Sequence, residues 1–247
     1  MHTDAASASA LIDALAAWSG AHAGHVPMIV APPFPFLGMA VERASRTGSL
    51  SIAAQNCHQE EQGAFTGEVS VPMLRSMGVK ACIVGHSERR EYYGETDAVA
   101  GAKIKMLFKH GLQPIYCCGE RKHERESGSH RQVVARQMMQ ALSGLTREEA
   151  GGLIIAYEPV WAIGTGLTAT PEQAAEMHAF IRAELHRFAG DAAASVPLLY
   201  GGSCKPDNAA AIFRGSEVNG GLIGGAALTA DSFVQLALIA DEARKPR

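Results

Sequence analysis

The feature that most restricts this chain is a rhythm: seven short apolar runs, each separated from the next by a stretch long enough to hold a helix. The runs are Val26–Ala31, Leu50–Gln55, Ala81–Gly85, Gln113–Cys118, Leu153–Glu158, Pro197–Tyr200 and Gly221–Ile223. Successive side chains of a strand point to opposite faces, so an apolar run without alternation, such as Cys82-Ile83-Val84 or Leu153-Ile154-Ile155, reads as a strand buried on both faces. Parallel strands covered by helices have that character. The clearest helix spans Pro171–Phe188, with Ala174, Met177, His178, Ile181, Leu185 and Phe188 three or four residues apart. Thr170 with Gln173 makes its capping box, and Pro171 takes the first helical position. Another helix opens the chain, with Ala8, Leu11, Leu15 and Trp18 on one face and Gly20 as its expected stop, and a last one lies near Ser232–Ala240.

Strands alternating with helices imply an α/β fold built on a parallel sheet, either open or closed into a barrel. The alternation never lapses into a differently composed region, and no Pro/Gly/Ser-rich linker interrupts it. The residues able to do chemistry stand at the ends of several different runs, where barrel enzymes place their active sites. Residues 1–247 are therefore expected to form a single (β/α)8 barrel domain, a length at which such barrels are common. The count falls one short. Seven strands and eight helices, beginning with a helix, match a (β/α)8 unit without its first strand.

Composition excludes other classes. A 47% hydrophobic, 19% charged chain has ample material for a core, and a net charge of −3 offers neither nucleic acid nor an anionic membrane a basic face. No apolar run approaches the roughly 18 residues that a membrane span needs. The Ala-rich start, with Asp4 and Asp13, lacks the basic beginning of a secretory signal, so a cytoplasmic location is expected. Cys57, Cys82, Cys117, Cys118 and Cys204 have no metal-ligand or C-x-x-C spacing and read as reduced thiols. The charged stretch Arg121–Arg131 reads as a solvated helix and turn.

Two residues carry the expected chemistry. His86 follows the third run and opens a helix, where free N–H groups and the positive end of the dipole favour an uncharged imidazole that can donate a hydrogen bond to a carbonyl oxygen. Glu158 ends the fifth run after five apolar or aromatic residues, and burial there raises its basicity. Pro159–Thr170 is longer than an ordinary strand-to-helix loop, with Pro159 at its start and Gly164 and Gly166 in its middle, which is the composition of a lid. The same loop contains Gly164-x-Gly166-x-x-Ala169, but it begins too far from the strand and lacks the later ribose-binding acid of a dinucleotide site. Tyr200-Gly201-Gly202-Ser203 and Gly224-Gly225 follow the sixth and seventh runs. Counted with a missing first strand, these are the loops that bind phosphate in many barrels. No lysine stands at a strand end to form a Schiff base, and no metal or cofactor is expected. Cys117 borders this region, although packing alone explains it.

Ala54-Gln55-Asn56, Gly63-Ala64-Phe65-Thr66-Gly67-Glu68, Gly85-His86-Ser87-Glu88-Arg89-Arg90, the segment from Ala156 to Gly166, Tyr200-Gly201-Gly202-Ser203 and Gly224-Gly225 together closely resemble the triosephosphate isomerase family, in order, from about residue 26 to the C-terminus. That family is itself the standard example of a glutamate base paired with a neutral histidine, so the electrostatic reading and the resemblance are not independent. The resemblance implies a TIM barrel that interconverts dihydroxyacetone phosphate and glyceraldehyde 3-phosphate through an enediol-type intermediate, with no cofactor. It implies His86 as electrophile, Glu158 as proton acceptor, Glu88 as a supporting carboxylate, and Gly164, Ser203, Gly224 and Gly225 as substrate-binding residues. It also implies a homodimer in which the Gly63–Glu68 loop, with Thr66 near its tip, reaches into the partner. The family's first strand ends in Asn-x-Lys, and Met1-His2 begins just past that motif. The second and eighth strands of the barrel are then expected to expose unpaired edges. A chain without the lysine is expected to turn over about two orders of magnitude more slowly. Leu167 and Asn219 stand where the family often has lysine and aspartate. Two alternatives stay open: an isomerase of a four-carbon ketose phosphate on the same scaffold, and a truncated, non-catalytic phosphate-binding relative.

Overall fold

The structure, a computed structural model, describes residues 1–22, 26–48 and 50–245. Its seven strands are β1 (Met28–Val30), β2 (Leu50–Ala54), β3 (Ala81–Val84), β4 (Gln113–Cys118), β5 (Ile154–Tyr157), β6 (Leu198–Tyr200) and β7 (Gly220–Gly221). Each pairs in parallel with the next, in the order β1-β2-β3-β4-β5-β6-β7, so the sheet curls as a (β/α) barrel does. Among the described residues, β1 and β7 are paired along one edge only. The two unpaired edges expected from the strand count are therefore present among the described residues, although no residue of either strand is exposed.

Period-two alternation sorts the strand residues into two layers. Ala53, Ala81, Ile83, Ile115, Cys117, Ile154 and Ala156 form a small apolar cluster on one face. Ile52, Ala54, Cys82, Val84, Tyr116, Cys118, Ile155, Tyr157, Leu198 and Tyr200 face the other way, into a larger core shared with the helices. Burying strands on both faces is what forced the unbroken apolar runs.

The helices are more numerous than the eight expected: α1 (Ala5–Ala21), α2 (Leu37–Ser45), α3 (Val71–Ser76), α4 (Ser87–Tyr93), α5 (Asp97–Lys109), α6 (Lys122–Glu126), α7 (His130–Leu142), α8 (Arg147–Gly151), α9 (Pro171–Ala189), α10 (Pro206–Phe213) and α11 (Ala230–Arg244). The extra ones are short segments inside the connections, α4 and α6 after strands and α8 between α7 and β5, where the turn has its own Thr146–Glu149 capping box. α9 starts as expected, with Thr170 and Gln173 exchanging capping hydrogen bonds. Gly20 does not stop α1. The helix continues to Ala21 because the N–H of His22 and its ring Nδ1 both reach the Trp18 carbonyl, at 3.1 and 2.8 Å. β7 also begins one residue earlier than the apolar run, and Leu222 extends its pairing through an N–H bond to Tyr200.

Candidate active site

Because all strands are parallel, the loops that follow them lie at one end of the sheet, and β3 delivers the imidazole there. Gly85 turns the chain with φ of +74°, and a Cβ at that position would stand 2.9 Å from the Cys117 carbonyl oxygen, so the turn requires glycine. The Gly85 N–H donates to the Glu95 carboxylate at 2.7 Å, and its carbonyl accepts from Arg90 Nε at 2.6 Å. Arg90 is in turn paired with Asp97. His86, fixed by this turn, is the N-cap of α4, and its Nδ1 accepts the Glu88 N–H at 3.3 Å. In a neutral ring the proton then belongs on Nε2. That nitrogen lies 3.2 Å from Glu158 Oε1.

β5 delivers the acid. The Glu158 N–H donates to the Cys118 carbonyl at 2.8 Å, which carries the strand pairing one residue further. The neighbouring loop presses so closely that a Cβ on Gly119 would come within 1.7 Å of the Glu158 carbonyl oxygen. Glu158 is 1% exposed, and its carboxylate accepts the Ser87 N–H at 2.9 Å and the Ser87 hydroxyl at 2.8 Å. Burial pushes the Glu158 carboxyl up, more strongly than His86 and Ser87 pull it down. A carboxylate with raised proton affinity beside a donor N–H is equipped to take a proton from carbon.

A second buried ionic cluster stands behind the histidine turn. Lys103 Nζ donates to Glu95 at 2.6 Å and to Asn56 Oδ1 at 2.8 Å, and Arg89 Nε donates to the same Glu95 oxygen at 2.9 Å. Burial alone raises the Glu95 carboxyl, but Lys103, the Gly85 N–H and Arg89 together carry it below the usual carboxylate range. The first residues after β5 are fastened as well. Trp161 Nε1 and the Tyr157 hydroxyl both donate to Glu120 Oε1, at 2.8 and 3.0 Å, and the Val160 N–H donates to the Glu120 carbonyl.

The remaining candidates lie in loops at the same end of the sheet. Gly164, with φ of +68°, is on the exposed stretch 164–168 of the loop after β5. Ser203 is half-buried beyond β6, and Gly224 and Gly225 are exposed beyond β7, with open space where a side chain would project. The Glu88 carboxylate is 66% exposed and 4.0 Å from His86 Nδ1, so the ring's hydrogen bond comes from the Glu88 backbone. Thr66 sits in the exposed segment 62–68.

Ser87, Asn56, Glu95, Lys103 and Glu120 had no assigned role in the sequence reading. One signal was available: Lys103 falls on the buried stripe of α5 with Ala100, Ile104 and Leu107, where a lysine requires an acidic partner. Ser87 gave no such signal, because its partner is 71 residues away.

A parallel sheet with a buried acid and an imidazole meeting where β3 and β5 end defines the class, a (β/α)-barrel enzyme. The chain belongs to the triosephosphate isomerase family, whose sequence profile matches residues 1–240. It is 47% identical to the triosephosphate isomerase of Alcanivorax borkumensis over 231 residues, 94% of this chain and 91% of that protein. It is 46% identical to that of Flavobacterium johnsoniae over 96% of this chain and 94% of the relative. For the Carboxydothermus hydrogenoformans protein the figures are 48% identity over 92% and 88%.

Proposed function

We propose that Glu158 and His86 carry the proton transfer by which this family member interconverts dihydroxyacetone phosphate and glyceraldehyde 3-phosphate. The supporting observation is the 3.2 Å approach of His86 Nε2 to the buried Glu158 carboxylate. In this reading Ser87 holds Glu158 in a resting position, and substrate binding exchanges those two hydrogen bonds for contact with a carbon-bound proton. Glu158 removes that proton, and the Nε2–H of His86 stabilises the charge that grows on the neighbouring oxygen. Backbone N–H groups at Gly164, Gly224 and Gly225, with the Ser203 hydroxyl, hold the phosphate. Residues 159–170 act as the lid that keeps water from the intermediate, with Glu88 in support through its backbone.

The same reading takes residues 1–247 as one domain that works in the cytoplasm as a homodimer. Among the described residues no helix is long and apolar enough to cross a membrane. Phe65, 44% exposed and packed on the His58 ring at 4.2 Å, gives the 63–68 loop an apolar tip for a second subunit. Turnover of both three-carbon and four-carbon ketose phosphates by the purified protein tests the substrate assignment. Good activity on the four-carbon sugar with none on the triose would overturn it.

A further inference from the structure

Just past the end of β4, one peptide group is held by a side chain where a strand would otherwise hold it. The Cys118 carbonyl accepts the Glu158 N–H at 2.8 Å and the Glu120 carbonyl accepts the Val160 N–H at 3.0 Å, so the residues on either side of Gly119 are bonded toward β5. In a parallel ladder alternate residues turn their backbone groups to opposite neighbours, which points the N–H and C=O of Gly119 toward β3. No strand receives them there, because the pairing of β3 with β4 ends at Val84 and Tyr116 and Gly85 turns the chain away. Gln137, on the buried stripe of α7 and 7% exposed, fills the place. Its Oε1 accepts the Gly119 N–H at 2.8 Å and its Nε2 donates to the Gly119 carbonyl at 2.9 Å, so one amide satisfies both backbone groups.

That grip matters because of what Gly119 touches. A Cβ on Gly119 would lie 1.7 Å from the Glu158 carbonyl oxygen and 3.1 Å from the Glu158 Cα, so the two backbones are in direct contact and a shift of one displaces the other. Ser87, whose N–H and hydroxyl hold the Glu158 carboxylate, lines a cavity of about 580 Å³ together with Gly119, Gln137 and Val160. Without the amide, the buried Gly119 groups lose their protein partners and reach water only by moving toward that cavity. Such a move carries the Glu158 backbone with it, and a reacting group tolerates little displacement.

We propose that Gln137 is a positioning residue for the proton transfer: by gripping both backbone groups of Gly119 it fixes the end of β5, and so the reach of Glu158. The proposal rests on the reading of Glu158 as the base. Gln137 acts on the base through Gly119 and not on the phosphate contacts. Its loss is therefore expected to fall on kcat and to spare KM.

The test is the steady-state kinetics of the wild-type protein, Gln137→Leu and Gln137→Glu with glyceraldehyde 3-phosphate as substrate, with the thermal midpoint of each. In Gln137→Leu, which removes both hydrogen bonds, kcat is expected to fall about tenfold to a hundredfold, the scale of a misplacement of about 1 Å, with KM within about twofold of wild type. Gln137→Glu adds a pH signature. Its protonated form presents one acceptor and one donor, as the amide does, whereas its charged form loses the donor and sets a negative oxygen against the Gly119 carbonyl. Taking kcat as a ratio to wild type at each pH cancels the titrations common to both proteins. That ratio is expected to fall about threefold or more between about pH 5.5 and about pH 8, as the introduced acid loses its proton. A merely structural role lowers the thermal midpoint and leaves kcat within about twofold of wild type, and that result overturns the proposal. A ratio that stays flat across pH, or a loss that appears in KM alone, overturns it as well. Should Gln137→Leu fail to fold, Gln137→Glu carries the test alone on the same criteria. Glu158→Gln, run alongside, separates the two claims: wild-type kcat in that variant removes the base assignment whatever the Gln137 variants do.

Discussion

Strands β3, β4 and β5 are paired along both edges, and from Pro114 onward every β4 residue is buried, as is every residue of β3 and β5. Strands β1 and β7 are paired along one edge and are largely half-buried. The two sides also carry different chemistry. His86 and Glu158, whose work depends on a separation of about 3 Å, are fastened to the fully paired side by the Gly85 turn and by the Cys118 contact. The proposed phosphate contacts at Gly224 and Gly225 come from the open side, where backbone N–H groups suffice and side chains are not needed. Rigidity is concentrated where geometry is most demanding.

Substitutions on the paired side are expected to produce the largest effects. Glu158→Gln should lower kcat by about three orders of magnitude, the scale of a lost general base, as read in a coupled isomerase assay. Its thermal midpoint should hold or rise, because a buried acid is removed; a loss of rate that tracked a loss of folding would instead make Glu158 a structural residue. Lys103→Met leaves the buried Glu95 with Arg89 and the Gly85 N–H as its remaining partners and should cost about 3 kcal/mol in urea unfolding. A cost under about 1 kcal/mol would show that the Glu95 cluster does not brace the histidine turn.

Two milder experiments set one side against the other. Ile115→Ala, inside the small cluster on β4, should cost about 2–5 kcal/mol, while Ile29→Ala on β1 should cost less than half as much, since β1 is only partly covered. Equal costs would mean that the open edge is packed as well as the closed one. The smallest expected effect comes from pH, at a residue that joins the two sides, because His178 on α9 packs edge-on against Tyr157 of β5. His178, buried with Nδ1 on the Glu217 carbonyl that precedes β7, has its pKa pushed by burial down to about 4, from 6.5. Between those values the unfolded chain binds the proton and the folded one does not, so stability should fall as pH drops, by about 1 kcal/mol between pH 7 and pH 5.5. His178→Gln should flatten that slope in acid-unfolding curves.

Much of the fold was legible because burial on both faces leaves a mark that is local in sequence. Ile154-Ile155-Ala156 could hardly be anything but a covered strand, and Thr170-Pro171 with Gln173 announced α9 one residue at a time. The strand count even foretold the two unpaired edges. What escaped depended on partners far along the chain. Gly20 looked like a stop until the ring of His22 supplied the missing cap, and the start of β7 was read one residue late because its pairing with Leu199 and Tyr200 sets the register. The positions of His86 and Glu158 at strand ends were readable, yet the hydroxyl that holds the acid at rest belongs to Ser87, which a sequence pattern presents as one polar residue among several. Glu120 was hidden for the same reason, since its two donors, Tyr157 and Trp161, lie 37 and 41 residues further along the chain.

Transfer of a proton between carbon and one particular carboxylate can be followed directly. With dihydroxyacetone phosphate in deuterium oxide, proton NMR reports both isomerisation and the entry of deuterium at the reacting carbon. The wild-type protein is expected to form glyceraldehyde 3-phosphate with deuterium incorporated, and folded Glu158→Gln to suppress product and incorporation together by about three orders of magnitude. Undiminished deuterium incorporation by Glu158→Gln would contradict the account, because some other base would then be taking the proton.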